Sequence, residues 1–192
     1  AIFPMTEAEI AQANELYPER KFELEKAVPE VVHRYFAGFL GLLIIGLFGL
    51  SLYLKPFNSL VTKLTGALVL LVLAQSTFGY LTVSLKLWPQ VVTMHLLGGF
   101  ATTTLLFLTY MKLKDLDTGS SNSLMISKRS SNLLNFAFPV LIAQIILGVW
   151  LSSNYAAFAC PDFPLCQGQI LPDTNFQMGF NFMQSIGPDY LG

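Results

Sequence analysis

The sequence predicts an all-α, polytopic membrane protein with four transmembrane helices, and its composition and charge placement lead to that class. Apolar residues make up 53% of the 192 residues and charged residues only 12%, about half of the charged share of an ordinary globular domain. All Lys, Arg, Asp and Glu residues lie outside four uncharged stretches of roughly 20 residues, enough for a helix to cross about 30 Å of hydrocarbon with its backbone hydrogen bonds satisfied internally. These stretches are Tyr35–Leu54, Leu64–Leu85, Leu87–Met111 and Leu133–Ser153.

The charge of the chain also excludes two classes of partner. The net formal charge is -1, so no basic field attracts nucleic acid, and no Lys/Arg-rich run indicates a polybasic membrane-surface segment. The lipid bilayer is therefore the expected environment. The chain begins at Ala1 without the basic stretch, apolar core and small-residue cleavage site of a signal peptide, so we expect its N-terminus to be a cut or processed end.

The distribution of basic residues predicts which loops face the cytoplasm. The loop after the first span carries Lys55 and Lys63, the loop after the third carries four basic residues, and the loop between the second and third carries only Lys86. Because cytoplasmic loops are enriched in Lys and Arg, we expect the first and third spans to run from outside to inside. Both ends of the chain then face outward.

The two histidines are the main candidates for chemistry, because ionisable groups within membrane helices are functional by default. His33 lies just before the uncharged run of the first span, and His95 lies inside the start of the third. If Pro29 and Pro89 are the first helical residues, the two histidines differ in depth by roughly 3 Å along their helices. Two imidazoles so placed would suit the two faces of a haem iron. The alternatives are a solvated interfacial histidine for His33 and a hydrogen bond to a neighbouring helix for His95.

Two glycines follow His95 by about one turn, at positions 98 and 99. Gly98 and Gly99 would let a flat ring approach the backbone. Close packing of two helices through small residues explains the same pattern equally well. The glycines are consistent with a haem site without identifying it.

A Glu-x-x-His-Arg motif precedes the first uncharged stretch and is formed by Glu30, His33 and Arg34. Residues three apart share a helix face, so the carboxylate would stand beside the candidate ligand, where it could move protons or orient what the metal holds. The alternative is that Glu30 complements the helix dipole while Arg34 anchors the helix among lipid headgroups.

The two cysteines, Cys160 and Cys166, belong to the run Cys-Pro-Asp-Phe-Pro-Leu-Cys after the fourth span. On an oxidising face, two thiols this close in sequence can form a disulfide, and the prolines restrict the loop towards a closed shape. A structural disulfide is the simplest role, and an exchangeable redox pair is the alternative. A zinc site is the weakest interpretation, since no second pair of ligands lies nearby.

A faint internal repeat links the second and fourth spans. Both contain Gln-x-x-x-Gly, as Gln75 to Gly79 and as Gln144 to Gly148. Such a match can arise by chance, but it suggests duplication of a helix pair.

Three of these features together resemble the haem A synthase family. They are the run from Gly148 to Gly168 with its two cysteines, the Glu-x-x-His-Arg motif, and His95 one helix pair later. The resemblance covers nearly the whole chain and implies two similar four-helix bundles, of which this chain holds spans two to five of eight. The implied organisation is 1–30 outer-face loop, 31–111 helices of the N-terminal, substrate-side bundle, 112–131 cytoplasmic linker, 132–153 first helix of the C-terminal bundle, and 154–192 outer-face loop with the cysteine pair.

The resemblance also implies a reaction, the stepwise oxidation of the C8 methyl of haem O to a formyl group to make haem A for terminal oxidase. His33 and His95 match the ligands of the substrate iron, Glu30 the essential carboxylate, and the two cysteines the outer-face pair. Arg34, Gly98 and Gly99 are expected to support the site.

Several further expectations come from the same resemblance. A haem B cofactor is expected in the missing C-terminal bundle, so the partial chain is expected to be inactive alone. The implied location is the bacterial inner membrane, with haem O synthase and terminal oxidase assembly factors as candidate partners and a homo-oligomer left open. One departure is that the family often has a cysteine pair in its first outer loop, whereas residues 1–30 contain no cysteine.

Two other functions remain open at this point. A b-type cytochrome subunit that transfers electrons would also need two helix histidines, but it predicts neither the Glu-x-x-His-Arg motif nor the cysteine loop. A membrane scaffold or transporter without haem predicts no Soret absorbance in the purified protein.

Overall fold

A computed structural model describes residues 6–16, 18, 22–54, 59–118, 127–162, 164–170 and 172–183 of the chain. Its elements are almost all α-helical, which confirms the predicted all-α class. In chain order they are α1 (Glu7–Leu16), α2 (Leu24–Leu54), α3 (Leu60–Ser84), α4 (Pro89–Thr118), α5 (Lys128–Ser153), a short 3-10 helix (Ala156–Ala159) and α6 (Phe176–Gly179).

Four of these helices are long and apolar enough to cross a membrane. The candidate spans are Ala27–Leu54, Leu60–Ser84, Pro89–Asp117 and Lys128–Ser153. Each span overlaps one of the four uncharged stretches of the sequence and extends beyond it into charged residues. The protein is therefore an integral membrane protein. The third spanning helix, α4, continues beyond Met111 to Thr118. In this extension Lys112 pairs with Asp115 one turn on, at 3.5 Å.

Local sequence accounts for most of the helix starts. The hydroxyl of Ser59 accepts a hydrogen bond from the backbone N–H of Thr62 at 3.2 Å, and Ser127 accepts one from Ser130 at 3.2 Å. Each serine thereby satisfies one of the N–H groups that a helix start leaves without a partner. α4 begins at Pro89 as predicted, where the missing N–H of proline costs nothing.

The expectation that Pro29 starts the first spanning helix is wrong. α2 begins at Leu24, so Pro29 lies inside it. Glu25 in the first turn complements the helix dipole, and Ala27 already donates its N–H to Glu23 O at 3.0 Å. Pro29 lies close to the N-terminal end of α2. The single backbone hydrogen bond that it removes there is tolerated by the helix. His33 therefore comes nine residues after the start of α2, whereas His95 comes six after the start of α4.

A tight turn joins α3 to α4 and sets which residues face each other. Lys86 and Leu87 both adopt positive φ angles, 50° and 61°, and Leu87 donates its N–H to Thr82 O at 2.8 Å. The chain reverses at Leu87, which is why α4 begins at Pro89 rather than at Leu87. In the antiparallel pair that results, residues equally distant from Leu87 lie at the same level.

The chain divides into two compact units, Ala1–Leu47 and Phe48–Gly192. The second unit contains α3, α4 and α5, in which α4 packs against both α3 and α5. The last turns of α2 also belong to it, where Ser51 and Thr65 hydrogen bond through their hydroxyls at 2.9 Å. The first unit contains α1 and most of α2.

Candidate functional site

His95 lies against α3, and a glycine makes room for its ring. A Cβ atom on Gly79 would stand 3.2 Å from Cε1 of His95 and 3.8 Å from each of its ring nitrogens. The Nδ1 atom of His95 is buried. The position of Gly79, eight residues before Leu87 as His95 is eight after it, follows from the turn between the helices. Because Gly79 has no side chain, the imidazole of His95 packs closely against α3 at this position.

One helical turn further along, the roles of the two helices are reversed. The side-chain amide of Gln75 occupies the space that a Cβ on Gly98 would fill. Of the two explanations that the sequence leaves open for Gly98, helix packing is the one that this contact fits. Gly99 differs, since no described atom of a neighbouring element lies within 4 Å of where its Cβ would stand.

These two contacts form one reciprocal arrangement, which we call the α3/α4 glycine contact: His95 on Gly79, and Gln75 on Gly98. From the sequence, Gln75 and Gly79 are recognisable only as part of a repeat, with no predicted role. The Gln-x-x-x-Gly spacing was the available signal, because residues four apart lie on one helix face. Only the fold shows that this face of α3 meets the histidine face of α4.

The Glu-x-x-His-Arg motif lies on α2 with all three side chains exposed. Arg34 donates to Oε1 of Glu30 at 2.7 Å, and the two side chains are 57% and 48% exposed. The carboxylate is thus tied to a cation one turn away, while His33 lies between the two in sequence. Arg34 is placed to hold the orientation of Glu30.

The two histidines belong to different compact units. His33 lies in Ala1–Leu47 and His95 in Phe48–Gly192. Their joint ligation of one iron therefore stays a prediction.

The loop after α5 is closed by covalent and polar contacts of its own. Cys160 and Cys166 are joined by a disulfide with their Cα atoms 4.4 Å apart. The carboxylate of Asp162 accepts hydrogen bonds from the backbone N–H groups of Gly168 at 2.6 Å and Gln167 at 2.8 Å. These donors, Gly168 first, hold the pKa of Asp162 below its usual value of 3.8, because they stabilise the charged form. Asp162 was not among the residues singled out from the sequence, which treated the loop only through its cysteines.

The segment that follows this loop returns to the ends of two spanning helices. Trp150 of α5 donates its indole N–H to Gly179 O at 2.9 Å and lies 4.8 Å from the ring of Phe182, centroid to centroid. Gln90 of α4 donates its side-chain N–H to Phe182 O at 2.7 Å. The start of α4, the end of α5 and this segment therefore lie on one side of the membrane.

Comparison with known proteins places these features in a family of membrane assembly factors. Residues 1–187 match the COX15-CtaA family, described as cytochrome oxidase assembly protein, and the chain belongs to that family. It is 37% identical over 187 residues to the Heme A synthase of Shewanella oneidensis, covering 97% of this chain and 55% of that protein. It is 26% identical over 165 residues to the Heme A synthase of Halalkalibacterium halodurans, covering 84% of this chain and 54% of that protein.

The chain spans about half the length of these curated relatives. No solved structure gives a significant match to it.

Proposed function

We propose that the protein to which this chain belongs is a haem A synthase, which oxidises the C8 methyl of haem O to the formyl group of haem A. The observation that carries this proposal is the 37% identity to a protein named Heme A synthase over 97% of the chain. The reaction makes the enzyme an oxidoreductase. Because the chain spans about half of its relatives, we expect it to be inactive alone.

His33 and His95 would bind the iron of the substrate haem O. Two imidazoles are a donor set that haem iron accepts, and His95 meets the further requirement of a fixed ring, because Gly79 supports one side of it. A haem B cofactor is expected in the second bundle of the whole enzyme, and no residue of this chain is assigned to it.

Glu30 would handle protons beside the substrate. It lies one turn from His33 on the same helix, and its pairing with Arg34 at 2.7 Å keeps the carboxylate oriented. A positioned carboxylate can take a proton from a reacting group or its bound water. Arg34 acts through Glu30 and is therefore a positioning residue.

The proposed setting is the bacterial inner membrane, with the cysteine loop on the outer face. The basic loops support this orientation, since Lys and Arg concentrate on the cytoplasmic side. Haem O synthase would supply the substrate, and assembly factors of the terminal oxidase would receive the product. On an oxidising outer face the disulfide between Cys160 and Cys166 would persist.

The direct test uses the full-length protein expressed with a haem O synthase in a host that lacks its own haem A synthase. Extracted haems are separated by chromatography, and haem A is the expected product. An electron-transfer cytochrome would bind haem but leave haem O unchanged, so a haem-loaded protein without haem A formation would contradict the proposal.

A matched pair of variants tests the role of the carboxylate. Glu30→Gln keeps the shape of the side chain but removes its charge, so we expect haem binding to remain and haem A formation to be lost. Glu25→Gln makes the same change in the first turn of the same helix and should retain activity. Equal activity of the two variants would remove Glu30 from the mechanism.

A further inference from the structure

The amide side chain of Gln75 lies between α3 and α4, one helical turn from the candidate ligand His95. The amide occupies the space beside Gly98, and the imidazole of His95 lies against Gly79. Gln75 comes twelve residues before Leu87, whereas His95 comes eight after it. The amide therefore belongs to a level about 6 Å further from the helix ends than the imidazole. The two side chains are neighbours on adjacent levels of one helix pair.

At this depth an amide needs a hydrogen-bond partner. Other polar groups of α3 have one, since the hydroxyls of Thr77 and Thr82 donate to backbone carbonyls within the helix, at 3.2 Å and 2.7 Å. Gln75 is half-buried, and among the described residues no group hydrogen bonds with its amide. A polar group removed from water is destabilising unless it is hydrogen bonded, and polar residues inside membrane helices mark functional positions. The amide of Gln75 is therefore available to a bound molecule.

The substrate assigned by the proposed function carries a suitable polar group. Haem O differs from haem B in one substituent, a hydroxyethylfarnesyl chain in place of a vinyl group, at the edge of the macrocycle opposite the propionates. Charged groups are unfavourable in hydrocarbon, so the propionates stay near the headgroups and the opposite edge points into the membrane interior. The hydroxyl of the chain then lies deeper than the iron, as Gln75 lies deeper than His95. A hydroxyl both donates and accepts hydrogen bonds, and so does a side-chain amide.

We propose that Gln75 is a specificity-determining residue, whose amide hydrogen bonds the hydroxyl of the hydroxyethylfarnesyl chain and so distinguishes haem O from haem B. The inference rests on the proposed function, because it requires that His95 binds the iron of haem O. Gly98 contributes by leaving room for the amide, since a Cβ there would occupy the same space. One hydrogen bond of this kind changes affinity by about 2–10-fold.

The test measures the affinity of the full-length protein for haem O and for haem B by absorption titration. Titration of His95→Ala protein gives the signal of all other haem sites, which is subtracted. Gln75→Met keeps the length of the side chain and removes its hydrogen-bonding groups. We expect its preference for haem O over haem B to fall by about 2–10-fold, with the affinity for haem B unchanged. Gln144→Met makes the same change at an exposed glutamine of α5 and should keep the parental preference.

The two haems separate the outcomes that would overturn the inference. Equal weakening of both haems by Gln75→Met would show that the amide serves only to pack the helices. An unchanged preference would show that the hydroxyl binds elsewhere, and an equal loss of preference in Gln144→Met would show that the position of Gln75 has no special part. These three results overturn the inference alone. If parental and His95→Ala proteins titrate alike with haem O, the assignment of His95 to the substrate iron is wrong as well.

Discussion

The glycine of the same five-residue motif is contacted by a neighbouring helix on α3, whereas among the described residues it meets open space on α5. On α3, Gly79 receives His95 and Gln75 reaches into the space beside Gly98. On α5, Gln144 is exposed, and no described atom of a neighbouring element lies within 4 Å of where a Cβ on Gly148 would stand. A Gln-x-x-x-Gly motif therefore provides a notch and a side chain, but it becomes a site only where a second helix faces it. For α3 the tight turn at Leu87 supplies that helix.

The largest expected effect comes from filling the two glycine notches with the same side chain. In Gly79→Leu, even the Cβ would meet Cε1 of His95 at 3.2 Å, so the larger side chain must displace the imidazole. A misplacement of about 1 Å can cost about 100-fold in rate, and we expect a loss of haem A formation of that order. Gly148→Leu should retain near-parental activity. Haem analysis of the full-length variants measures both, and equal losses would break the comparison.

A smaller effect is expected at the neighbouring glycine pair of α4. Gly98→Ala places a Cβ where the Gln75 amide lies, so the amide must move. We expect the free energy of unfolding to fall by about 1–3 kcal/mol. Gly99→Ala meets open space. Its free energy of unfolding should be unchanged or rise by up to about 1 kcal/mol, because Ala has a higher helix propensity than Gly. Thermal unfolding in detergent compares the two. Greater damage from Gly99→Ala would show that Gly99, and not Gly98, lies at a close contact.

The smallest effect is expected in the loop after α5, whose contacts come from within the loop and need no second helix. Asp162→Asn should weaken the hydrogen bonds to Gly168 and Gln167, and the Cys160–Cys166 disulfide should then be reduced faster by a phosphine at neutral pH. Asp173→Asn removes a carboxylate of the same region and serves as the control.

The pH dependence of that difference has a definite sign. The folded pKa of Asp162 is lowered from 3.8, so its contribution to loop order is present above that value and is lost as pH falls through the folded pKa. The reduction rates of parental protein and Asp162→Asn should therefore converge below about 3.8. A difference that persists unchanged in acid would show that the charge of Asp162 has no part in closing the loop.

The sequence predicted the spanning helices well because lipid imposes a simple requirement on them. A helix that crosses hydrocarbon must be long and uncharged, and the four uncharged stretches meet that requirement on composition alone. Helix ends are subject to weaker requirements. Pro29 misled the prediction of the start of α2, since a proline is tolerated near a helix start as well as at it, whereas Pro89 marked the start of α4 correctly.

The candidate site was predictable in its residue types but not in its contacts. The sequence singled out His95 and Gly98 and left haem binding and helix packing open for the glycine. It could not place Gln75 at Gly98 or Gly79 at His95, because that pairing depends on the register of two helices, which a turn of two residues with positive φ determines. Trp150 and Gln90 were missed for a similar reason, as their partners come from a segment far away in the sequence.

The central claim is that His33 and His95 together ligate the substrate haem, and the most direct measurement is the absorption spectrum and haem content of full-length His33→Ala, His95→Ala protein. Met94→Ala, a change at the exposed neighbour of His95, is the control. We expect the double variant to lose the spectral signature of the substrate haem and to form no haem A, while the control keeps both. Haem A formation at the parental rate in the double variant would contradict the account and place the substrate site outside this chain.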